Sequence, residues 1–172
     1  LYRLRGYEIP EAGRTAKGTA IVNLLSLDNG EKISAVIPIQ NFAEGKYLLM
    51  ATKNGLIKKT ALTEYNSARK TGLQAITLKE NDELIRVRLT DGEDNVVLVT
   101  ENGMCITFDE KDVRPMGRTA QGVMGIRLKD QDVVIGMESI ISGSKETLLA
   151  ITENGFGKRT ELDEYRVQNS CL

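Results

Sequence analysis

The chain has 172 residues, with 23 lysines and arginines against 24 aspartates and glutamates, and it contains neither histidine nor tryptophan. This length suffices for one domain with a buried core, and the balanced charge does not by itself indicate nucleic-acid binding. A zinc site or a disulfide scaffold is disfavoured because Cys105 and Cys171 lie far apart without a CxxC motif, and no apolar run approaches the roughly 18 residues of a membrane span.

The first element in chain order is a basic loop, GRTAKG at residues 13–18, which recurs almost unchanged as GRTAQG at residues 117–122. A third loop of the same kind, SARKTG, lies between them at residues 67–72. After each loop come an apolar run, an acidic turn and a second apolar run, a pattern that predicts two antiparallel strands. These pairs of runs cover residues 20–27 and 33–39, 73–78 and 84–89, and 123–128 and 133–140.

The second kind of element is an Asn-Gly dipeptide between two β-rich runs. It occurs at Asn54–Gly55, Asn102–Gly103 and Asn154–Gly155, at steps of 48 and 52 residues. Asn-Gly favours the type I′ turn of a two-residue hairpin, because both residues of that turn need a positive φ. Each dipeptide therefore predicts a β-hairpin.

Together these elements repeat about every 50 residues, with four predicted strands in each repeat. That arrangement is typical of a propeller-like array of four-stranded antiparallel blades, so we predict an all-β fold. We interpret residues 1–172 as a single domain with a partial repeat at 1–45, complete repeats at 46–94 and 95–145, and a partial repeat at 146–172. The chain is thus expected to be a slice of a longer array.

Several segments resemble the C-terminal domain of the A subunit of DNA gyrase, a β-pinwheel whose blades exchange strands. They lie at residues 6–25, 50–65, 89–94, 112–128 and 152–165, and the resemblance spans essentially the whole chain in the right order. The homologous domain of the C subunit of topoisomerase IV is the nearest alternative, and the regularity of these repeats favours gyrase. The gyrase A box, QRRGGKG, is absent, since Ser170-Cys171-Leu172 follow a stretch at residues 164–169 that resembles its lead-in.

This resemblance implies that the chain wraps duplex DNA for ATP-dependent negative supercoiling by a type IIA topoisomerase. It also implies partners, namely the rest of the gyrase A subunit, together with the gyrase B subunit, in an A2B2 heterotetramer in the bacterial cytoplasm. ATP and magnesium would be bound by the holoenzyme. The segments that would carry the catalytic tyrosine, the ATP site and the metal-binding acidic cluster have no match here. We therefore predict no catalytic residue, metal ligand or cofactor in this fragment, and no membrane partner.

Basic residues recur at two positions of the repeat and are the candidate DNA-binding residues. If repeats stack side by side, equivalent positions share a face, so a neutral chain can carry one basic rim and one acidic rim. The strand after each Asn-Gly turn provides Lys58, Lys59, Lys158 and Arg159, with Arg3 and Arg5 near the matching place in the first repeat, whereas the third repeat has Ile106 and Thr107. The loops provide Arg14, Lys17, Arg69, Lys70 and Arg118, and the box-like lead-in provides Arg166.

Two other interpretations of these charges remain open. Lysines and arginines at alternating strand positions are often just a solvated face, and lysines on edge strands also prevent aggregation. A propeller with charged rims could instead dock a protein partner. Binding of random-sequence duplex at two salt concentrations separates these interpretations, because phosphate contacts are strongly salt-dependent.

Overall fold

A computed structural model describes residues 1–141 and 143–168, which form the predicted all-β fold with short 3₁₀ helices between the strands. The strands are β1 (Tyr47–Thr52), β2 (Leu56–Ala61), β3 (Leu84–Thr90), β4 (Asn95–Thr100), β5 (Cys105–Asp109), β6 (Val123–Met124), β7 (Val134–Ile140), β8 (Thr147–Ile151) and β9 (Gly157–Glu161). The 3₁₀ helices are Gly6–Glu8, Ile21–Asn23, Leu62–Tyr65, Glu110–Asp112 and Leu162–Glu164. No helix in the described part of the chain is long and apolar enough to cross a bilayer.

The three Asn-Gly hairpins are confirmed as β1–β2, β4–β5 and β8–β9. Their registers are equivalent, because Leu49 pairs with Lys59, Val97 with Thr107 and Leu149 with Arg159. The turn glycines at 55, 103 and 155 all have positive φ, but the asparagines before them do not, so the predicted type I′ turn is wrong. Each glycine N–H instead donates to the carbonyl of the threonine three residues earlier, as in a three-residue hairpin loop that ends in a glycine of positive φ. Residues of the three hairpins that align in the sequence therefore occupy equivalent positions in the fold.

The two complete repeats share a strand order in which a later strand joins the Asn-Gly hairpin. β3 pairs with β1 and β7 pairs with β4, each with a register shift at the end of the central strand. β6 does not join its own repeat but pairs with β2 of the preceding repeat. Strand exchange between repeats, which the gyrase resemblance implies, is thus present at this junction.

The expectation of four strands in every repeat is wrong in two places. Residues 20–27 and 33–39 contain no strand, and a 3₁₀ helix occupies Ile21–Asn23. Residues 73–78 likewise form no strand, although Leu73 exchanges backbone hydrogen bonds with Leu1. The physical reason is the lack of a partner, because a strand needs a neighbour for its N–H and C=O groups and the described chain places no hairpin before residue 20.

The core lies between successive repeats, on both faces of the second repeat. Along β1, Leu49 and Ala51 face a cluster that includes Val96, Leu98 and Phe108 of the third repeat. Leu48 and Met50 face the opposite way, against Leu62 and Tyr65 and apolar side chains of residues 1–42 and 73–76. The alternation follows from the two-residue period of a strand, and it stacks the repeats in the order of the sequence.

Candidate nucleic-acid interface

The two near-identical hexapeptides adopt the same turn. The Ala16 N–H donates to the Gly13 carbonyl at 3.0 Å, and the Ala120 N–H donates to the Gly117 carbonyl at 3.1 Å. In SARKTG the turn comes two residues later, where the Gly72 N–H donates to the Arg69 carbonyl at 3.1 Å. The repetition of sequence in the two hexapeptides therefore corresponds to repetition of local backbone geometry.

The glycine that closes the third loop is required by packing as well as by conformation. Gly122 has a φ of +103°, and a Cβ atom there would lie 2.7 Å from the Ile57 carbonyl oxygen. The loop therefore crosses β2 of the preceding repeat at a distance that only glycine permits. Gly18 has a positive φ but open space around it, so conformation alone favours glycine there.

The cations of the first two loops are exposed. Arg14, Lys17 and Arg69 form no ion pair with any acidic group in the described residues. Lys70 is exposed and contacts Glu8 at 2.7 Å, and hydrogen bonds from Lys70 and from the Arg5 backbone lower the pKa of the Glu8 carboxyl. These loops thus present positive charge to solvent, and Lys70 alone is partly neutralised.

Cations from two successive repeats converge on one shallow depression. Its lining combines side chains of the first repeat with the SARKTG loop of the second, and consists of Arg3, Arg5, Glu8, Ala68, Arg69 and Lys70. Arg3 is half-buried, since its Nη1 donates to the Asn66 carbonyl at 3.0 Å and its guanidinium lies 4.6 Å from the centre of the Phe42 ring. Arg5 is exposed. The depression therefore brings together cations from the two predicted positions, the strand after the Asn-Gly turn and the basic loop.

Lys58 does not lie on an exposed rim, so that part of the prediction is corrected. Its side chain is 0% exposed, and its Nζ donates to the Ala75 carbonyl at 2.6 Å and to the Arg118 carbonyl. Burial, together with the positive charge of Arg118, lowers the pKa of Lys58 to about 8. An ammonium group held in this way is not available to a DNA phosphate.

Lys59 is also buried, with 4% of its surface exposed. Its Nζ donates to the Glu110 carbonyl at 2.7 Å, lies 4.0 Å from the Glu110 carboxylate and lies 5.3 Å from the centre of the Tyr47 ring. Thr90 donates to the same carboxylate at 2.6 Å. Burial raises the pKa of Glu110 and lowers the pKa of Lys59, because it penalises the charged form of each.

The positions equivalent to Lys58 and Lys59 are interior in the third repeat as well. Ile106 and Thr107 occupy the registers of Lys58 and Lys59, and both are buried. In the last hairpin the equivalent Lys158 and Arg159 are exposed. Arg166 is exposed as well, whereas Asn169, the last residue of the box-like lead-in, and the three residues after it lie outside the described residues.

The exposure of Arg118 lies between that of the first two loops' cations and that of the buried lysines. Its side chain is half-buried, and its Nε lies 3.9 Å from the Glu64 carboxylate of the preceding repeat. Lys70 likewise contacts Glu8 of the first repeat. At both of these junctions between repeats, a cation of the basic loop therefore lies beside an acidic residue in a 3₁₀ helix of the preceding repeat.

The acidic turns do not form a simple exposed rim, because one acid in each of the last two turns has a structural role. Asp82 is buried and accepts hydrogen bonds from the N–H groups of Asn54 and Glu83, both at 2.9 Å. Asp132 is buried and accepts from Asn102 at 3.1 Å and Val133 at 2.9 Å. Each aspartate therefore ties its own turn to the Asn-Gly turn of the same repeat.

The pKa of Asp132 reflects this arrangement. Burial by itself raises the pKa, but hydrogen bonds from Thr100 and from the N–H groups of Asn102 and Val133 outweigh burial and lower it. In the sequence, the repeat alignment places an aspartate at the same position of two acidic turns. Charge alone does not distinguish this aspartate from the acidic residues beside it.

Sequence reasoning missed an ion-pair cluster between the second and third repeats. Glu138 on β7 accepts from Arg86 at 2.9 Å and from the Arg88 Nε at 2.9 Å, both on β3. The repeat alignment could have indicated this cluster, because β3 and β7 are equivalent strands. Arg88 pairs with Leu49 and Glu138 pairs with Val97, so Arg88 and Glu138 occupy the same position in successive repeats. Opposite charges at one register position of successive repeats indicate a contact between them.

Known proteins resemble this chain in sequence. The family model of the DNA gyrase C-terminal domain, a β-propeller, matches residues 1–40, 46–91, 94–141 and 146–170. The A subunit of DNA gyrase from Staphylococcus epidermidis strain ATCC 12228 is 44% identical over 98% of the chain, and that of Staphylococcus aureus strain NCTC 8325 is 42% identical over the same share. The chain spans 19% of the length of either relative.

Solved structures agree with the fold. A C-terminal domain of DNA topoisomerase IV superposes with a TM-score of 0.87 at 35% identity, covering 95% of this chain and 51% of that one. A DNA gyrase A C-terminal domain superposes with a TM-score of 0.80 at 26% identity, covering 97% and 53%. With the repeated hairpins, the exchanged strand and the family match in hand, the chain belongs to the family of DNA gyrase C-terminal domains, which are β-pinwheels.

Proposed function

We propose that this chain binds duplex DNA without base specificity, as part of the DNA-wrapping domain of a gyrase A subunit. The observation that carries the proposal is the exposure of Arg14, Lys17 and Arg69 on loops at equivalent places in successive repeats, without an acidic partner among the described residues. Lysine and arginine contacts to phosphates provide affinity that does not depend on sequence. The gyrase relatives support the same role.

Wrapping requires contacts on several repeats at once. Bending a few tens of base pairs costs on the order of 1–6 kcal/mol, which several phosphate contacts together can offset. Repeats stacked through a common core place their loops at regular intervals, so a bent duplex can meet one loop after another. In this proposal the loop cations and the exposed Arg5, Lys158, Arg159 and Arg166 supply contacts, while Lys58 and Lys59 stabilise the fold.

We infer that the parent protein is the A subunit of an ATP-dependent type IIA topoisomerase that introduces negative supercoils. It works with a B subunit in an A2B2 assembly in the bacterial cytoplasm. The support is the identity of 42–44% to relatives named as the A subunit of DNA gyrase. Cleavage, ATP hydrolysis and magnesium binding belong to parts outside this chain. The pure chain should therefore neither cleave nor relax supercoiled plasmid, with or without ATP and magnesium.

Fluorescence anisotropy with random-sequence duplex tests DNA binding. If about four phosphates are neutralised, affinity should fall on the order of a hundredfold between 50 and 200 mM salt. Two duplexes of unrelated sequence should bind within about tenfold of one another. A flat salt response, or no binding at low salt, would contradict the proposal and favour a propeller that docks a protein partner through its charged surfaces.

The topoisomerase IV alternative is favoured by one observation, the higher TM-score and identity to a topoisomerase IV domain.

Ligation of a nicked plasmid in the presence of the chain separates wrapping from simple contact. Wrapping shifts the linking number of the closed product in one direction, in proportion to the bound protein. Binding without a shift would retain DNA contact but contradict wrapping.

A further inference from the structure

The third loop is fixed to the preceding repeat through three successive carbonyl groups. The Arg118 carbonyl accepts from the Lys58 Nζ, and the Thr119 carbonyl accepts from the Thr77 hydroxyl at 2.7 Å. The Ala120 carbonyl accepts from the Thr77 N–H at 3.3 Å. The backbone of GRTAQG therefore turns its acceptors toward the second repeat, where Lys58 provides the one charged donor among these three bonds.

Lys58 is unusual because its buried ammonium group has no carboxylate partner among the described residues. Both of its acceptors are backbone carbonyls, of Ala75 and Arg118. A buried charge is costly unless hydrogen bonds compensate it, so each of these bonds matters more than a surface contact.

The fold itself does not require a lysine at this register. Ile106 occupies the equivalent position of the third repeat and is 7% exposed. An apolar side chain thus fills the position well. What the ammonium group adds is a pair of hydrogen bonds that connect the segment at residue 75 with the loop at residue 118.

We propose that Lys58 is a positioning residue for the basic loop 117–122, holding the Arg118 carbonyl so that the Arg118 guanidinium is placed to meet a DNA phosphate. This rests on the proposed function. Gly122 packs against the Ile57 backbone beside Lys58, so the loop is held at its start by the ammonium group and at its end by close backbone contact. Lys58 acts through Arg118 and does not itself contact DNA.

Hydrogen exchange measures the hold on the loop without DNA. Lys58→Met keeps most of the stem and removes the ammonium group, and amide exchange in residues 117–122 should become about tenfold faster, as expected for loss of a charge-assisted hydrogen bond. Amides of β4 should be unchanged. Lys32→Met, which removes an exposed lysine of the acidic-turn side, is the matched control and should leave the loop as it is. Unchanged exchange in folded Lys58→Met overturns the proposal.

A double-mutant cycle measures the effect on DNA. Lys58→Met should weaken binding of random-sequence duplex by about three- to tenfold in the native background, and by less than about twofold when Arg118→Ala is already present, because the two residues act in one contact. Equal losses in both backgrounds overturn the proposal, since they indicate a general structural effect.

A second variant covers the case in which Lys58→Met does not fold. Lys58→Ile introduces the residue type that Ile106 provides at the equivalent register, and it should show the same two effects. Unchanged loop exchange in folded Lys58→Ile overturns the proposal. If the native chain binds no duplex at low salt, the proposed function fails and the positioning role fails with it. If the native chain binds but loop exchange does not respond to Lys58→Met, the positioning role alone fails.

Discussion

The first and the last of the three Asn-Gly hairpins, β1–β2 and β8–β9, carry basic pairs at the same register but in opposite environments. Lys58 and Lys59 pair with Met50 and Leu49 across β1–β2, and Lys158 and Arg159 pair with Ala150 and Leu149 across β8–β9. The first pair is buried, whereas the second is exposed. Register therefore fixes which way a side chain points but not whether solvent reaches it.

The difference lies in what packs over each hairpin. The loop at residue 118 and the 3₁₀ helix at Glu110 provide the carbonyls and the carboxylate that bind Lys58 and Lys59. No described residue plays that part for Lys158 and Arg159. A basic pair in one strand position can thus be an internal link between repeats or an external charge, and the neighbouring segment decides which.

The largest expected effect is on stability at the buried pair. Lys59→Met leaves the buried Glu110 carboxylate without its cation and should lower the free energy of unfolding by about 3 kcal/mol. Arg159→Met changes the equivalent exposed position and should cost less than about 0.5 kcal/mol. Urea unfolding of both variants gives the comparison. Similar losses at the two positions would show that their environments do not differ as described.

A second contrast concerns the glycines that close the two near-identical loops. Gly122→Ala should cost about 2–3 kcal/mol, because a positive φ combines with a Cβ placed against the Ile57 carbonyl. Gly18→Ala meets no neighbour and should cost about 1 kcal/mol from conformation alone. Thermal unfolding of both variants measures the difference. Equal costs would mean that the third loop does not cross β2 closely.

The sequence predicted the features that depend on local chemistry. The glycine of each Asn-Gly dipeptide provides a positive φ in the turn, so the three dipeptides located all three hairpins and their equal registers, although the predicted turn type was wrong. Exposure was predicted poorly, because it depends on contacts between repeats. Nothing local distinguishes Lys58 from Lys158, and nothing local shows that Asp82 is a buried hydrogen-bond acceptor.

The exposed pair should affect DNA binding directly, through its own phosphate contacts. If Lys158 and Arg159 each contact one phosphate, changing both to alanine should reduce the salt slope of binding by about two units and leave the unfolding midpoint almost unchanged. Anisotropy titrations at several salt concentrations provide the slope. An unchanged slope would place both residues outside the DNA contact.

A smaller effect should appear in the pH dependence of stability. The pKa of Lys58 is about 8 in the fold, below its unfolded value, so the unfolded chain binds more protons between pH 8 and about 10. The difference in unfolding free energy between the native chain and Lys58→Met should therefore shift in favour of the native chain as pH rises through this window. Denaturant unfolding at pH 7, 8, 9 and 10 measures it, and a constant difference would argue against a desolvated ammonium group.

The most direct test of the account compares two double variants of equal charge. Arg14→Ala with Lys17→Ala removes two exposed loop cations, and Lys32→Ala with Lys79→Ala removes two exposed lysines on the acidic-turn side. With random-sequence duplex, the first variant should lose about two units of salt slope and the second almost none, because the loop cations contact phosphates and the lysines on the acidic-turn side do not. Equal losses would show that net charge alone governs binding, and the proposed DNA interface would be wrong.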